Sequence, residues 1–197
     1  IILSVGLASL DEIREALNII YSTGNKNVAL LHCITSYPTK PEDVNLNVIK
    51  TLKQKFQVPV GFSDHTMQVS IPIGAVALGA NIIEKHFTLD RKLEGPDHPY
   101  ALEPEELKIM VKGIRDVEKA LGSGIKKIVD SEKQGLVEGR RSVYAKVNIS
   151  KGTNITKDML SILRPAVGIA PKYIDKIIGK KAKKDIKPYE PILWDKI

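Results

Sequence analysis

Gly61-Phe62-Ser63-Asp64-His65-Thr66 and, further along the chain, Ile83-Glu84-Lys85-His86-Phe87-Thr88 are the stretches whose reading decides the fold. Each ends a short apolar run with a polar cluster that contains a histidine. Antiparallel neighbours can be joined by a tight turn, whereas parallel neighbours need a crossover of about a dozen or more residues. The separation of His65 from His86 fits the parallel case and sets both rings on one rim of a sheet. Imidazole is a common ligand for borderline divalent ions, and Ser63, Asp64 and Glu84 add polar groups beside the rings. A histidine after an apolar run is as often a hydrogen-bonded loop or core residue. On spacing alone, both readings stand.

Outward from these stretches the first 122 residues alternate between strand and helix. Ile1–Val5 is strand-like, and Ser9-Leu10-Asp11-Glu12 after it is a capping-box pattern. Leu10, Ile13, Ala16, Leu17 and Ile20 then recur with helical spacing. Val28–Cys33 and Asn45–Phe56 form the second unit, and Val58–Phe62 with Val69–Leu78 the third. The fourth is Asn81–His86 with Glu103–Leu121, which has Pro104 in its first turn and Gly122 past its end. Continuous rather than alternating apolar strands predict a parallel sheet covered on its faces. Four β/α units are half of an eight-stranded barrel, with two strand edges left unpaired. Chemistry in such barrels sits on the loops after the strands. His65 and His86 lie there, as do Thr35, Ser36 and Tyr37, and Gly95-Pro96-Asp97-His98.

The texture changes after Gly122. Residues 123–138 read as a polar connection, and residues 139–197 as a small, mainly β domain. Within it, Ser142–Val147 alternates like a strand and Lys157–Leu163 reads as a short helical turn. Pro165, Gly168, Pro171, Gly179, Pro188 and Pro191 punctuate the remainder. Residues 1–122 hold 13 Lys/Arg against 15 Asp/Glu, and residues 123–197 hold 17 against 8, so the net charge of +7 arises in the C-terminal part. That excess suits nucleic acid, a membrane surface or an anionic substrate. With aromatic residues at 5% and no groove-reading motif, nucleic acid is disfavoured. Lys180–Lys184 reads as a solvated basic face.

At 197 residues with 43% hydrophobic content, one large or two small globular domains are expected. No apolar run approaches the roughly 20 residues of a membrane helix. The chain opens on Ile1-Ile2-Leu3-Ser4-Val5, as if cut from inside a core strand and unlike a signal peptide. A single cysteine, Cys33, excludes an internal disulfide and suggests a buried thiol in a reducing cytoplasm.

Taken in order, Cys33 through Tyr37-Pro38, Pro41-Glu42-Asp43-Val44-Asn45-Leu46, Gly61 through Thr66, Gly74 through Ala80, Ile83 through Thr88 and Gly95-Pro96-Asp97-His98 resemble the sialic acid synthase (N-acetylneuraminate synthase) family. The match is to the C-terminal half of that family's TIM (β/α)8 barrel. The tail, with Arg140-Arg141-Ser142, Lys151-Gly152, Arg164-Pro165 and Gly168-Ile169-Ala170-Pro171, resembles the appended antifreeze-like domain, the SAF or β-clip domain. The fold class implied is α/β, a half barrel followed by a small mainly β domain.

The resemblance implies condensation of phosphoenolpyruvate with N-acetylmannosamine or a related N-acyl amino sugar, giving a nine-carbon 2-keto acid and phosphate. It implies a divalent metal, usually manganese with magnesium or cobalt as alternatives, held by His65 and His86. Ser63 matches a hydroxyl that contacts phosphoenolpyruvate, and Tyr37, Glu84 and Asp97 match positions lining the sugar pocket, the two carboxylates as candidate catalytic groups. On residue type alone, Ser63 reads equally as a helix cap, Tyr37 as packing, Glu84 as the partner of a neighbouring lysine and Asp97 as a turn residue. Thr35 falls where relatives often carry a substrate-binding Asn, and a hydroxyl cannot supply both an amide donor and an amide acceptor. Arg164 matches an arginine that reaches across a homodimer to the partner's sugar. The family's lysines for phosphoenolpyruvate and its catalytic carboxylate are expected upstream of Ile1. The same chemistry serves pseudaminic acid, legionaminic acid and spore-coat polysaccharide synthases. Two readings of other classes are a metal-dependent hydrolase, which usually recruits more His or carboxylate ligands, and a non-catalytic carbohydrate-binding module.

Overall fold

The computed structural model describes residues 1–197, which divide into two compact units, Ile1–Ile125 and Lys126–Ile197. In the first, β1 (Ile2–Ser4), α1 (Leu10–Ser22), β2 (Ala29–Cys33), α2 (Val48–Phe56), β3 (Val60–Asp64), α3 (Ser70–Ala77), β4 (Ile83–Lys85) and α4 (Pro104–Leu121) alternate along the chain. The four strands lie in the order β1-β2-β3-β4 and every pairing is parallel. This is the strand order of consecutive units in a barrel.

Local chemistry accounts for the helix ends. Before α1, Ser9 N donates to Glu12 Oε2 at 2.7 Å and Glu12 N to Ser9 Oγ at 3.3 Å, the expected capping box. Before α4, Glu106 Oε2 accepts from Glu103 N at 2.9 Å, Pro104 takes the first helical position, and Gly122 past the end has a φ of 58°. That backbone hydrogen bond, followed by the Arg91 guanidinium, holds the Glu106 carboxyl below its ordinary range. The second helix starts later than its apolar spacing predicts. Asn45 has a φ of 49°, outside the helical region, so α2 opens at Val48.

Leu30, Ile49, Leu52, Val60 and Phe62 are almost wholly buried, together with Ile13, Leu17 and Ala75, between the sheet and α1–α3. A second cluster, Val76, Leu102, Met110 and Ile114, seats α4 against α3. Leu102 also extends the sheet past β4. Its N donates to His86 O at 2.9 Å, and its O accepts from Thr88 N at 2.9 Å. The backbone on both sides of His86 is thereby fixed.

In the second unit a one-turn 3-10 helix (Asp130–Glu132) and α5 (Gly135–Glu138) occupy the stretch read as a plain polar connection. β5 (Ser142–Ala145) pairs antiparallel with β6 (Leu160–Leu163). The expected helical turn at Lys157–Leu163 is therefore corrected: 157–159 is a 3-10 turn, and 160–163 is strand. Pairing in register with β5 outweighs the weak helical preference of so short a segment. The core here is aliphatic, with Val143, Ile149, Ile155, Ile177, Ile186 and Ile192 nearly or fully buried. No helix is long and apolar enough to cross a membrane.

Candidate active site

β3 and β4 run side by side with Ser63 opposite Glu84 and Asp64 opposite Lys85. Side chains alternate between the faces of a sheet, so the Ser63–Glu84 pair and the Asp64–Lys85 pair face opposite ways. The next residues are His65 and His86, whose ring centroids are 5.3 Å apart and edge to face. On the first face, Ser63 Oγ donates to Glu84 Oε1 at 2.6 Å. Ser63 is thus a buried strand residue, not a helix cap, and Glu84 pairs with a hydroxyl instead of a lysine.

His65 is buried, and its Nδ1 lies 2.8 Å from Ile34 O. A carbonyl only accepts, so Nδ1 carries a proton, and in the neutral tautomer this selects, Nε2 holds the lone pair. Cys33 Sγ lies 4.0 Å from the same nitrogen. Burial pushes the Cys33 thiol up, against an opposing hydrogen bond with Ser63, and the Glu84 carboxylate adds a smaller push in the same direction. His86 is partly exposed, with Nδ1 3.6 Å from Asp97 Oδ2.

Aromatic rings wall the histidines. The Tyr37 ring stands 4.2 Å from that of His65 and 6.0 Å from that of His86, and the Tyr100 ring 5.1 Å from that of His86. Together with Pro96 and Asp97 they line an open cleft. Tyr100 is buried and donates its hydroxyl to Asp97 Oδ1. Burial first, then the Asp97 carboxylate, push the phenol up to about 12, so it remains a donor. Sequence reasoning missed Tyr100. The available signal was its position three residues after Asp97, one turn of the 3-10 helix His98–Tyr100.

The long segment after β4 is pinned at both ends. Thr88 Oγ1 meets His98 Nδ1 at 2.7 Å, while Arg91 contacts Ala101 O at 2.9 Å and Glu106 Oε2 at 2.5 Å. These bonds hold the loop that carries Asp97. Tyr37, Ser63, Glu84, His65, His86 and Asp97 therefore converge on the C-terminal ends of β2–β4. Thr35, just after β2, lies between Gly6 and the Cys33 thiol, which itself neighbours His65. Arg164 belongs to the second unit, exposed and in no ion pair.

The rings fit the divalent ion implied by the resemblance. A metal–nitrogen distance of about 2.1 Å, typical of first-row ions, and a near-tetrahedral angle would set two imidazole centroids about 5 Å apart, close to what is seen. No group of three or more His, Cys, Asp or Glu side chains is arranged to hold a metal.

Imidazoles, carboxylates and tyrosines at the C-terminal ends of parallel strands define a β/α-barrel protein with its site where that fold places chemistry. The chain belongs to the NeuB family, which it matches over residues 1–126, and residues 140–197 match the SAF domain. Its architecture is thus the C-terminal half of a TIM barrel followed by a SAF domain. It is 47% identical over 194 residues to N,N'-diacetyllegionaminic acid synthase of Campylobacter jejuni, covering 98% of this chain and 58% of that protein. To human N-acetylneuraminate-9-phosphate synthase it is 40% identical over 182 residues, 91% of this chain and 50% of that protein. Among solved structures, spore coat polysaccharide biosynthesis protein spsE of Bacillus subtilis is similar with a TM-score of 0.58 at 37% identity, over 100% of this chain and 60% of that one. The chain spans between half and three-fifths of the length of these relatives.

Proposed function

We propose that the chain is the C-terminal part of an enzyme that condenses phosphoenolpyruvate with an N-acyl amino sugar, releasing phosphate and forming a nine-carbon 2-keto sugar acid. The observation that carries this reading is the convergence of Ser63–Glu84 and His65–His86 at adjacent strand ends in a member of the NeuB family. His65 through Nε2, and His86, would hold a divalent ion, manganese by preference. Bound there, that ion supplies Lewis-acid polarisation of the sugar aldehyde. Glu84 and Asp97 are acceptors on either flank of the histidines, suited to sugar hydroxyls. Tyr37 offers an aromatic face, and Tyr100 orients Asp97. Ser63, its proton engaged by Glu84, meets phosphoenolpyruvate after rotating its hydroxyl. Arg164, exposed and unpaired, is free to hold the N-acyl group in a homodimer partner's site. A monomer by light scattering would refute that role. These assignments belong to a protein of the cytoplasm.

A diacetamido sugar is the second reading. It is favoured by Thr35 in place of the usual Asn and by the relative named for diacetyllegionaminic acid. The test is phosphate release from phosphoenolpyruvate by the intact protein, with N-acetylmannosamine and with a 2,4-diacetamido hexose. Faster turnover of one decides between them. Failure to consume phosphoenolpyruvate with either, with manganese present, overturns the reading.

A further inference from the structure

The opposite face of the same two strand ends carries an ion pair that the proposed chemistry does not use. Lys85 Nζ donates to Asp64 Oδ2 at 2.8 Å, and the two side chains are 4% and 0% exposed. The same ammonium donates to Thr66 O. Asp64 in turn accepts from Thr66 N at 2.9 Å and Thr66 Oγ1 at 3.3 Å. The residues before and after His65 are therefore tied to one another and to the residue before His86. Lys85 lies on the helix side of the sheet, beside Ile83, Leu107 and Met110. It is not among the residues that line the cleft.

Taking two charges out of water costs about as much as their attraction returns, so such a pair is a poor source of stability and a better source of register. We propose that Lys85 and Asp64 are positioning residues that fix the separation of the two imidazoles by bracketing His65 and anchoring His86. Asp64 and Lys85 are cross-strand partners, and each immediately precedes a histidine. A shift of one strand against the other would move the rings apart, and the bracketed turn opposes it. This assignment rests on the two-histidine metal reading only for its chemical purpose.

Single substitutions would leave a buried charge without a partner, so the informative variant is Asp64→Asn/Lys85→Met in the intact protein. There the amide oxygen still accepts from Thr66 N, while the ammonium is gone. Two readouts are needed: manganese affinity, and the histidine 15N spectrum without metal, which reports the tautomer of His65. The expected result is a folded variant whose Tm stays within about 5 °C, whose manganese affinity falls about 10- to 100-fold, and whose His65 no longer holds a single Nδ1–H tautomer. A folded variant with both readouts unchanged overturns the proposal, and so does one that fails to fold, which would make the pair structural. If the unsubstituted protein does not bind manganese, the metal reading fails by itself and the tautomer comparison still judges the pair.

Discussion

Gly61→Ala tests the tightness of the sheet beneath the site. Gly61 lies in β3, and a Cβ there would stand 2.4 Å from Ile82 O, 2.6 Å from Leu31 Cδ2 and 2.7 Å from Ile82 Cβ. Leu31 can rotate away; the Ile82 backbone cannot, because its carbonyl accepts from Phe62 N at 2.9 Å. Relief needs a movement of about 1 Å between β3 and β4, against an overpacking cost of about 1–3 kcal/mol. Loss of the ladder hydrogen bond adds about 1 kcal/mol, for a total of about 2–4 kcal/mol. With a urea dependence of about 2 kcal/mol per molar, the midpoint of the first unit should fall by about 1–2 M. Far-ultraviolet circular dichroism follows α1–α4, while Trp194, the single tryptophan of this chain, reports the second unit and should not shift. Gly6→Ala is the control. Its Cβ would lie 2.3 Å from Thr35 Oγ1, with nothing else closer than 3.7 Å, and a rotation of the Thr35 side chain about χ1 relieves that contact. A midpoint for Gly61→Ala within about 0.25 M of the parent would refute the packing argument.

Other expectations can be checked alongside. His65→Ala and His86→Ala should each abolish manganese binding measured by calorimetry while the protein stays folded, and unchanged affinity in either ends the two-histidine reading. Burial holds His32 below its ordinary pKa against the smaller opposing pull of Val44 O at 2.7 Å. The folded state thus refuses a proton that the unfolded state takes up near about pH 6.5. Stability should be fullest above that pH and fall as the pH drops toward the lower folded value. Tm across that window should decline less steeply in His32→Gln, and equal slopes would contradict this. Ser142 Oγ donates to Pro165 O at 2.9 Å and accepts from Gly168 N at 3.1 Å, while Tyr144 OH donates to Pro165 O at 2.8 Å. Ser142→Ala strands the Gly168 N–H and should cost about 1–3 kcal/mol, whereas Tyr144→Phe leaves Pro165 O its other donor and should cost about 0.5–1.5 kcal/mol. Trp194 fluorescence in urea ranks the two, and the reverse order would refute the assignment.

The parallel sheet was legible because its strands are apolar runs punctuated by polar rims. Their ends were less so. β3 was expected to stop at Phe62, yet it continues through Ser63 and Asp64 because Glu84 and Lys85 meet them across the ladder, and no apolar pattern announces a polar pair in a strand. His65 and His86 were visible as the last polar residues of two equivalent runs. What fixes the His65 tautomer, Ile34 O, is a backbone atom and leaves no mark in the sequence. Tyr100 was not singled out, because its partnership with Asp97 depends on a 3-10 turn. At Lys157–Leu163 the local pattern was ambiguous, and a long-range pairing with β5 decided it.

The all-parallel order of β1–β4 has a consequence for how the chain is made. No two of these strands can meet as a hairpin, since each ladder waits for the helix between its strands to form and close the loop. During synthesis the apolar run Ala29–Cys33 gains its second neighbour only after Val60–Asp64 has left the ribosome. Until then its aliphatic side chains are open to other chains. Yield on expression should therefore depend on temperature and chaperone supply more steeply than the stability of the finished fold would suggest.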